Sequence, residues 1–153
     1  MFFVPSSTTQ EVMERLLQME EHPKYENVTT ETFLESRHFI HRRYRFTYTK
    51  DAFRWIPSFL LPVDYRNIKN DSYFDFDRHE VRFCIQPSCE KYYRVEGLLQ
   101  LEAENDGVTV RITMEDVEWK DTFSKTLPWF HRRLSDFILQ MMKEDLQSMT
   151  ATP

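Results

Sequence analysis

Residues 93–119, which read YRVEGLLQLEAENDGVTVRITMEDVEW, decide the fold class of this chain. Apolar side chains recur at every second position on both sides of Asn105-Asp106-Gly107, and this pattern predicts a β-hairpin. Gly97 interrupts the first strand, where a glycine often marks a bulge or a sharp bend. The alternation slips late in the second strand, so that Val117 and Trp119 carry the apolar parity, as a β-bulge would produce. We therefore expect a long, bent antiparallel hairpin.

The preceding part of the chain shows the same alternation. In residues 38–48 the even positions are mostly aromatic or aliphatic and the odd positions mostly basic, which is typical of a half-buried strand. Residues 73–85 predict a second hairpin around a polar turn that lacks glycine. Residues 1–5 predict one short strand. The apolar segment 51–62, which Pro57 interrupts, favours a helical turn or a packed loop.

A short amphipathic helix follows the first strand. Thr8 and Glu11 have the spacing of a capping box, and Pro23 ends the helical pattern. Its apolar face consists of Val12, Met13, Leu16 and Leu17.

The last element is the longest helix, and Pro128 suits its first turn. Its apolar stripe comprises Phe130, Leu134, Phe137, Ile138, Met141, Met142, Leu146 and Met149. A helix of this length must bury its stripe, and the aromatic faces of the sheet are the only large partner. The sequence therefore predicts an α+β fold in which a curved antiparallel sheet wraps around a long C-terminal amphipathic helix. We expect one domain over residues 1–149 and a frayed tail at residues 150–153.

Composition and spacing exclude several classes of function. The net charge of −5 argues against general nucleic-acid binding, because such binding needs a basic face on the protein. The 2 glycines leave little room for a phosphate-binding loop, and no nucleotide or catalytic motif occurs. The histidines have no metal-ligand spacing, and Cys84 and Cys89 form no metal pattern, so we expect no metal, no cofactor and reduced thiols. Cys84 alternates out of phase with its apolar neighbours, which predicts an exposed or second-layer thiol.

The chain shows no secretory signal and no run of roughly 20 apolar residues, so we expect a soluble cytoplasmic protein. Its 13 Phe, 7 Tyr, 3 Trp and 7 Met form a large apolar inventory. Such an inventory indicates either a well-filled core or a cavity lined by apolar side chains, and both alternatives remain open.

The order of these elements resembles that of the START-like superfamily, also called helix-grip or SRPBCC, which includes lipid-transfer and polyketide-cyclase-like proteins. The resemblance covers nearly the whole chain and rests on patterns. Its strongest parts are the helix from Thr8 to Pro23, the apolar segment Phe59-Leu60-Leu61-Pro62, the hairpin from Tyr93 to Trp119 and the helix from Phe130 to Met149.

This resemblance implies a pocket for sterols, phospholipids, polyketides or other apolar ligands between the sheet and the C-terminal helix. The sheet residues that would line it are Ile40, Tyr44, Phe46, Tyr93, Val95, Leu99, Val110, Ile112 and Met114. The helix residues that would close it are Phe137, Ile138, Met141 and Met142. The alternative is that these side chains simply meet one another in a filled core.

Arg42 breaks the apolar parity of its strand, and a desolvated guanidinium needs a partner. Asp116 shares parity with Ile112 and Met114, so either its carboxylate or a ligand head group would be that partner. Glu118 takes this role only if the slip in the alternation is absent. Alternatively, Arg42 lies near a strand end and reaches water.

The function expected from these observations is the binding of a hydrophobic small molecule or lipid, with its transfer as an extension of that activity. One alternative is a protein-interaction domain with a filled core, whose Trp55 or Trp129 anchors a partner. A less favoured one is a cyclase- or hydratase-type enzyme that uses Arg42, Asp116 and a tyrosine hydroxyl for acid–base work.

A basic strip on one strand face consists of Arg37, His41, Arg43 and Arg45. It either contacts an anionic membrane surface or an acidic partner transiently, or it is a solvated face paired with acidic neighbours.

Overall fold

The computed structural model describes residues 1–18, 25–49, 67–87 and 93–119, and the isolated residues Asp136, Gln140, Lys143 and Glu144. For Tyr93, Val117 and Trp119 the backbone alone is described. The four isolated residues are helical. The predicted segment 51–62, the tail at 150–153 and almost all of the predicted C-terminal helix lie outside the described residues.

In the described segments, seven antiparallel strands form one sheet in the order β1-β7-β6-β5-β4-β3-β2. The strands and the one helix between β1 and β2 are β1 Phe2–Pro5, α1 Thr9–Leu16, β2 Tyr25–Glu35, β3 Phe39–Tyr48, β4 Asn67–Asp75, β5 Glu80–Pro87, β6 Tyr93–Glu104 and β7 Gly107–Trp119. Strands β2 to β7 follow one another as a meander, and β1 pairs with β7. Each strand predicted from alternation is therefore present in the described part of the chain.

Strand β2 is at one end of the sheet and is exposed along most of its length. Its pairing with β3 has two register shifts, between Glu26 and Thr29 and between Thr32 and Leu34. The regular part of this pairing is therefore short.

Helix α1 begins as its sequence predicts. The Thr8 hydroxyl accepts a hydrogen bond from the Glu11 backbone N–H at 3.1 Å, which caps the helix. The helix ends at Leu16, earlier than Pro23 predicts. The carbonyl oxygen of the C-cap residue Leu17 accepts a hydrogen bond from the Tyr44 hydroxyl at 2.8 Å, so the sheet holds this end of the helix.

The hairpin between β4 and β5 forms without glycine. Asp75 Oδ1 accepts hydrogen bonds from the backbone N–H groups of Asp77 and Arg78, both at 3.1 Å. His79 takes the left-handed conformation, with φ of 54°, at a position that glycine would ordinarily occupy. The carboxylate and the histidine together replace the missing turn glycine.

The predicted bulge in the β6–β7 hairpin is confirmed. Gly97 lies opposite Met114 while Glu96 lies opposite Asp116, so Glu115 is the extra residue of a bulge. A Cβ atom at Gly97 would overlap the Phe83 ring and lie 2.8 Å from the Thr113 carbonyl oxygen. The Phe83 ring therefore packs against β6 in the space that a side chain at position 97 would occupy.

The core lies on the sheet face that carries α1, which we call the inner face. Val12, Met13 and Leu16 of the helix are buried in the same cluster as the apolar side chains of the strands. Among its large members, Tyr44, Phe74 and Ile68 are almost fully buried. In the described part of the chain, no helix is long and apolar enough to cross a membrane.

We expect Gly97→Ala to lower the free energy of unfolding by about 1–3 kcal/mol, because the added methyl group collides with the Phe83 ring. Without this collision, alanine would be the more stable residue in a strand by about 0.5–1 kcal/mol. Urea denaturation measures the change. Repeating the substitution in a Phe83→Leu background should reduce its cost, and a stabilising Gly97→Ala would contradict the close packing described here.

Candidate functional site

Two rows of cross-strand neighbours run across the inner face. Residues directly opposite each other in an antiparallel pair lie on the same face of the sheet. The Arg42 row consists of Thr32, Arg42, Ser72, Phe83, Gly97 and Met114, from β2 to β7. The Tyr44 row beside it consists of Thr30, Tyr44, Asn70, Ile85, Val95 and Val117. Both rows change from polar to apolar residues between β4 and β5.

The polar half of the two rows surrounds the end of α1. Arg42 Nε donates to Thr32 Oγ1 at 3.1 Å, and Arg42 Nη1 donates to the Leu17 carbonyl oxygen at 3.4 Å. This carbonyl oxygen is the one that Tyr44 also binds. Positive charge is favourable at the C-terminus of a helix. Arg42 and Tyr44 therefore hold the helix end over the polar half.

Deeper in the polar half lie two buried side chains of β4. Asn70 is 1% exposed and Ser72 is 2% exposed. The Ser72 hydroxyl donates to Asn70 Oδ1 at 3.1 Å. Thr30 and Thr32 at the other end are exposed, so the rows run from solvent at β2 to the interior at β4.

The apolar half is continuous with the core. Phe83, Ile85 and Val95 are buried, and Met114 is partly buried. A third row, along the same face, is apolar from β3 to β7 and consists of Ile40, Phe74, Val81, Leu99 and Ile112. The inner face is thus an apolar wall with a polar corner at β2, β3 and β4.

The predicted lining residues of the sheet lie on this wall wherever their side chains are described. Ile40, Tyr44, Phe46, Val95, Leu99 and Val110 are buried, and Ile112 and Met114 are partly buried. The side chain of Tyr93 and the residues Phe137, Ile138, Met141 and Met142 lie outside the described part. Contact of any of these residues with a ligand stays a prediction.

The predicted pair of Arg42 with Asp116 is not formed. The bulge at Glu115 turns Asp116 to the outer face, where it lies opposite Glu96 and is exposed. The acid–base set proposed from Arg42 and Asp116 is therefore not assembled, and Glu118 is likewise exposed. The prediction that Arg42 lies near a strand end is also wrong, because Arg42 is inside β3 and contacts Thr32 and Leu17.

Asn70 and Ser72 are the site residues that sequence reasoning missed. They share strand parity with Ile68 and Phe74, which are buried, so the alternation in residues 67–75 already places them on the apolar face. A polar residue with apolar parity is the signal that would have found them, as it found Arg42.

Three residues of the basic strip, His41, Arg43 and Arg45, lie on the outer face of β3 and are paired with carboxylates, whereas Arg37 precedes the strand and is exposed. Asp71, which is 8% exposed, accepts a hydrogen bond from Arg43 Nε at 2.9 Å and lies 3.2 Å from His41 Nε2. The hydrogen bond from Arg43 to Asp71 raises the pKa of the guanidinium above its ordinary value. Arg45 Nε lies 4.0 Å from Glu31. These contacts favour the interpretation of a face paired with acidic neighbours.

Aromatic rings continue this outer face. The His41 ring stacks between Phe33 and Tyr73, with ring centroids 4.9 and 4.2 Å away. Burial, followed by the nearby Asp71 carboxylate, raises the pKa of the Tyr73 hydroxyl. Cys84 is a free, partly exposed thiol that accepts a hydrogen bond from Arg94 Nε at 3.3 Å, which confirms its predicted direction.

Two further features of the described residues bear on function. No group of three or more His, Cys, Asp or Glu side chains in these segments is placed to hold a metal ion. A shallow open pocket of about 400 Å³ lies at the β6–β7 turn, lined by Phe3, Glu104, Asn105 and Asp106. This pocket is away from the polar corner.

We expect Tyr44→Phe to lower the free energy of unfolding by about 0.5–1.5 kcal/mol, because the hydrogen bond to Leu17 is lost. Amide hydrogen exchange in residues 12–17 should also become faster. Tyr73→Phe is the matched control, since it removes a hydroxyl from an exposed ring. Equal effects of the two substitutions would show that Tyr44 does not hold the helix end.

We expect Asp71→Asn to destabilise the protein by about 1–3 kcal/mol, because His41 and Arg43 both lose a largely buried carboxylate. Glu31→Gln, which breaks an exposed and longer pair, should cost no more than about 0.5 kcal/mol. Thermal and urea unfolding of the two variants measure the difference. An Asp71→Asn variant as stable as Glu31→Gln would contradict this assignment.

The sequence matches no protein-family model and no curated protein. Solved structures are nevertheless similar. The crystal structure of TTHA0849 from Thermus thermophilus has a TM-score of 0.59 and 14% sequence identity, over 97% of this chain and 95% of that one. The crystal structure of the Zhui aromatase/cyclase from Streptomyces sp. R1128 has a TM-score of 0.58 and 12% identity, over 96% of this chain and 87% of that one.

At these identities the likeness shows the fold alone. The described sheet and α1 fit the helix-grip fold that the order of elements predicts. The long C-terminal helix of that prediction is not seen in the described residues.

Proposed function

We propose that the protein binds a hydrophobic small molecule, such as a lipid or a lipid-like compound, against the inner face of its sheet. The observation that carries this proposal is the division of the inner face into a continuous apolar wall and one polar corner. Ligand sites in proteins combine these two features: apolar surface supplies affinity, and a few polar groups fix orientation.

The arrangement of the polar corner supports the proposal. A core that only had to be filled would gain nothing from Asn70 and Ser72, because each buried polar group must recover its lost hydration with hydrogen bonds. These two side chains share a hydrogen bond, and they lie next to Arg42 and Tyr44 in the rows. Polar groups of this kind are what an oriented ligand requires.

The comparisons support the same proposal at the level of the fold. One similar structure is that of a protein named as an aromatase/cyclase, so a similar fold occurs in a protein that is named as an enzyme. A fold hosts many functions, and the proposal therefore depends on the inner face and not on the likeness.

The proposal is tested by ligand binding to the purified protein. We expect native mass spectrometry to detect a co-purified apolar compound, and we expect the neutral fluorescent probe Nile red to bind. Denaturing extraction of the same sample should release the compound. A protein without co-purified ligand that also fails to bind Nile red would show that the inner face belongs to a filled core.

The Ile112→Gln variant tests whether the probe binds on the inner face. Ile112 is partly buried on the apolar wall, so glutamine should weaken Nile red binding about tenfold through loss of apolar contact area. Thr113→Gln is the matched control, because Thr113 is the next residue along β7 and is exposed. Both variants should keep the circular dichroism spectrum of the parent. Equal binding by the two variants would place the probe elsewhere.

A further inference from the structure

Arg42 differs from the other basic residues of its strand. His41 and Arg43 share the Asp71 carboxylate, and Arg45 lies beside Glu31. Arg42 has no carboxylate partner among the described residues. Its two hydrogen bonds go to neutral oxygen atoms, those of Thr32 and Leu17. A guanidinium has five N–H donors, so these bonds leave donor capacity unused.

The surroundings of Arg42 make an uncompensated charge costly. Its side chain is half-buried, and on β4 its cross-strand neighbour is Ser72, which is almost fully buried. A cation that is partly removed from water loses part of its hydration free energy. An anion placed beside it restores part of that loss. The carbonyl oxygen of Leu17 restores only a little, because it is 3.4 Å away and Tyr44 binds it at the same time.

The position of Arg42 along its row indicates the shape of a ligand. On one side is Thr32, which is exposed, and beyond Ser72 on the other side are Phe83, Gly97 and Met114. From β3 to β7 the row spans four strand spacings, about 19 Å along the sheet. A molecule with its head at Arg42 would thus keep the head near solvent and lay its apolar part along the wall.

We infer that the ligand of the inner face is an anionic amphiphile, whose carboxylate or phosphate head is bound by Arg42. Arginine matches both groups, because its planar fork of N–H donors pairs with two oxygen atoms at once. Thr32 flanks this position in the row, and its hydroxyl group accepts from Arg42 and keeps its own proton to donate to the same head. This inference rests on the proposed function and adds to it the charge and the orientation of the ligand.

The negative end of the α1 dipole opposes an anion at this place, and it does not prevent binding. The helix has 8 residues, and Arg42 and Tyr44 already bind the carbonyl oxygen of its C-cap residue, Leu17. A full positive charge on Arg42 exceeds the partial charge of about half a unit at a helix end.

Displacement of Nile red by matched ligands tests the inference. The anionic ligands are palmitate and palmitoyl lysophosphatidic acid, and the neutral ligands of equal chain length are hexadecanol and monopalmitoylglycerol, all below their critical micelle concentrations. We expect the anionic ligands to bind at least about tenfold more tightly, as charge-assisted hydrogen bonds predict. A preference for the phosphate points to a lipid head group, and a preference for the carboxylate points to a free fatty acid.

Substitution at Arg42 connects the preference to this residue. Arg42→Gln should remove the tenfold preference, while Arg42→Lys should keep most of it. Arg45→Gln, on the outer face of the same strand, is the matched control and should keep all of it. If Arg42→Gln does not fold, the comparison of anionic with neutral ligands on the parent protein still decides the question.

The outcomes separate the two proposals. Equal binding of anionic and neutral ligands, or a preference that survives in Arg42→Gln, overturns the inference and leaves the proposed function intact. Failure of all four ligands and of Nile red to bind overturns the proposed function, and the inference with it.

Discussion

The organisation of the inner face depends on one inserted residue, Glu115. Side chains alternate with a period of two along a strand, so an extra residue exchanges the two faces for everything that follows it. Before the bulge, Val110 and Ile112 lie on the core side of β7, whereas Asp116 after it is directed outward. Without the bulge, two carboxylates would enter the apolar wall, and no cation of the described inner face lies on a neighbouring strand to receive them.

The bulge and the apolar wall are connected through Gly97. Glycine at this position lets the Phe83 ring lie against β6, and the register of the hairpin shifts at the same place. An aromatic ring over a glycine supplies the packing that the missing side chain cannot, so the irregular part of the sheet is still covered. Two of the three residues in the apolar half of the Arg42 row, Phe83 and Gly97, therefore lie where the register shifts.

Much of this fold could be predicted from the sequence, because alternation reports directly which side of a strand is buried. The hairpin at 93–119 is visible as an alternation with a period of two. Its turn, its glycine at position 97 and the slip near Glu115 are visible as breaks in that alternation. The end of α1 is not visible in this way, because it is held by Tyr44 and Arg42, which are distant in sequence and whose hydrogen bonds no local pattern records. Sequence reasoning misplaced Asp116 for a related reason: the slip was recognised, yet the carboxylate was still counted with the residues that precede it. Only part of the polar corner could be predicted. The sequence of one strand shows that a polar residue has apolar parity, but it does not show which residues lie opposite on the neighbouring strand.

The irregular pairing of β2 has a consequence for the protein in a crowded solution. A strand at the end of a sheet offers its unpaired N–H and C=O groups to any other extended chain, and long regular edges of this kind seed aggregates. The two register shifts of β2 divide its pairing with β3 into short runs, of which the longest is Thr29, Thr30, Glu31 and Thr32. Carboxylates at Glu26, Glu31 and Glu35 follow the same strand and repel an identical copy. The sheet can thus remain open at β2 beside the polar corner, because this edge is a poor template for the growth of a fibril.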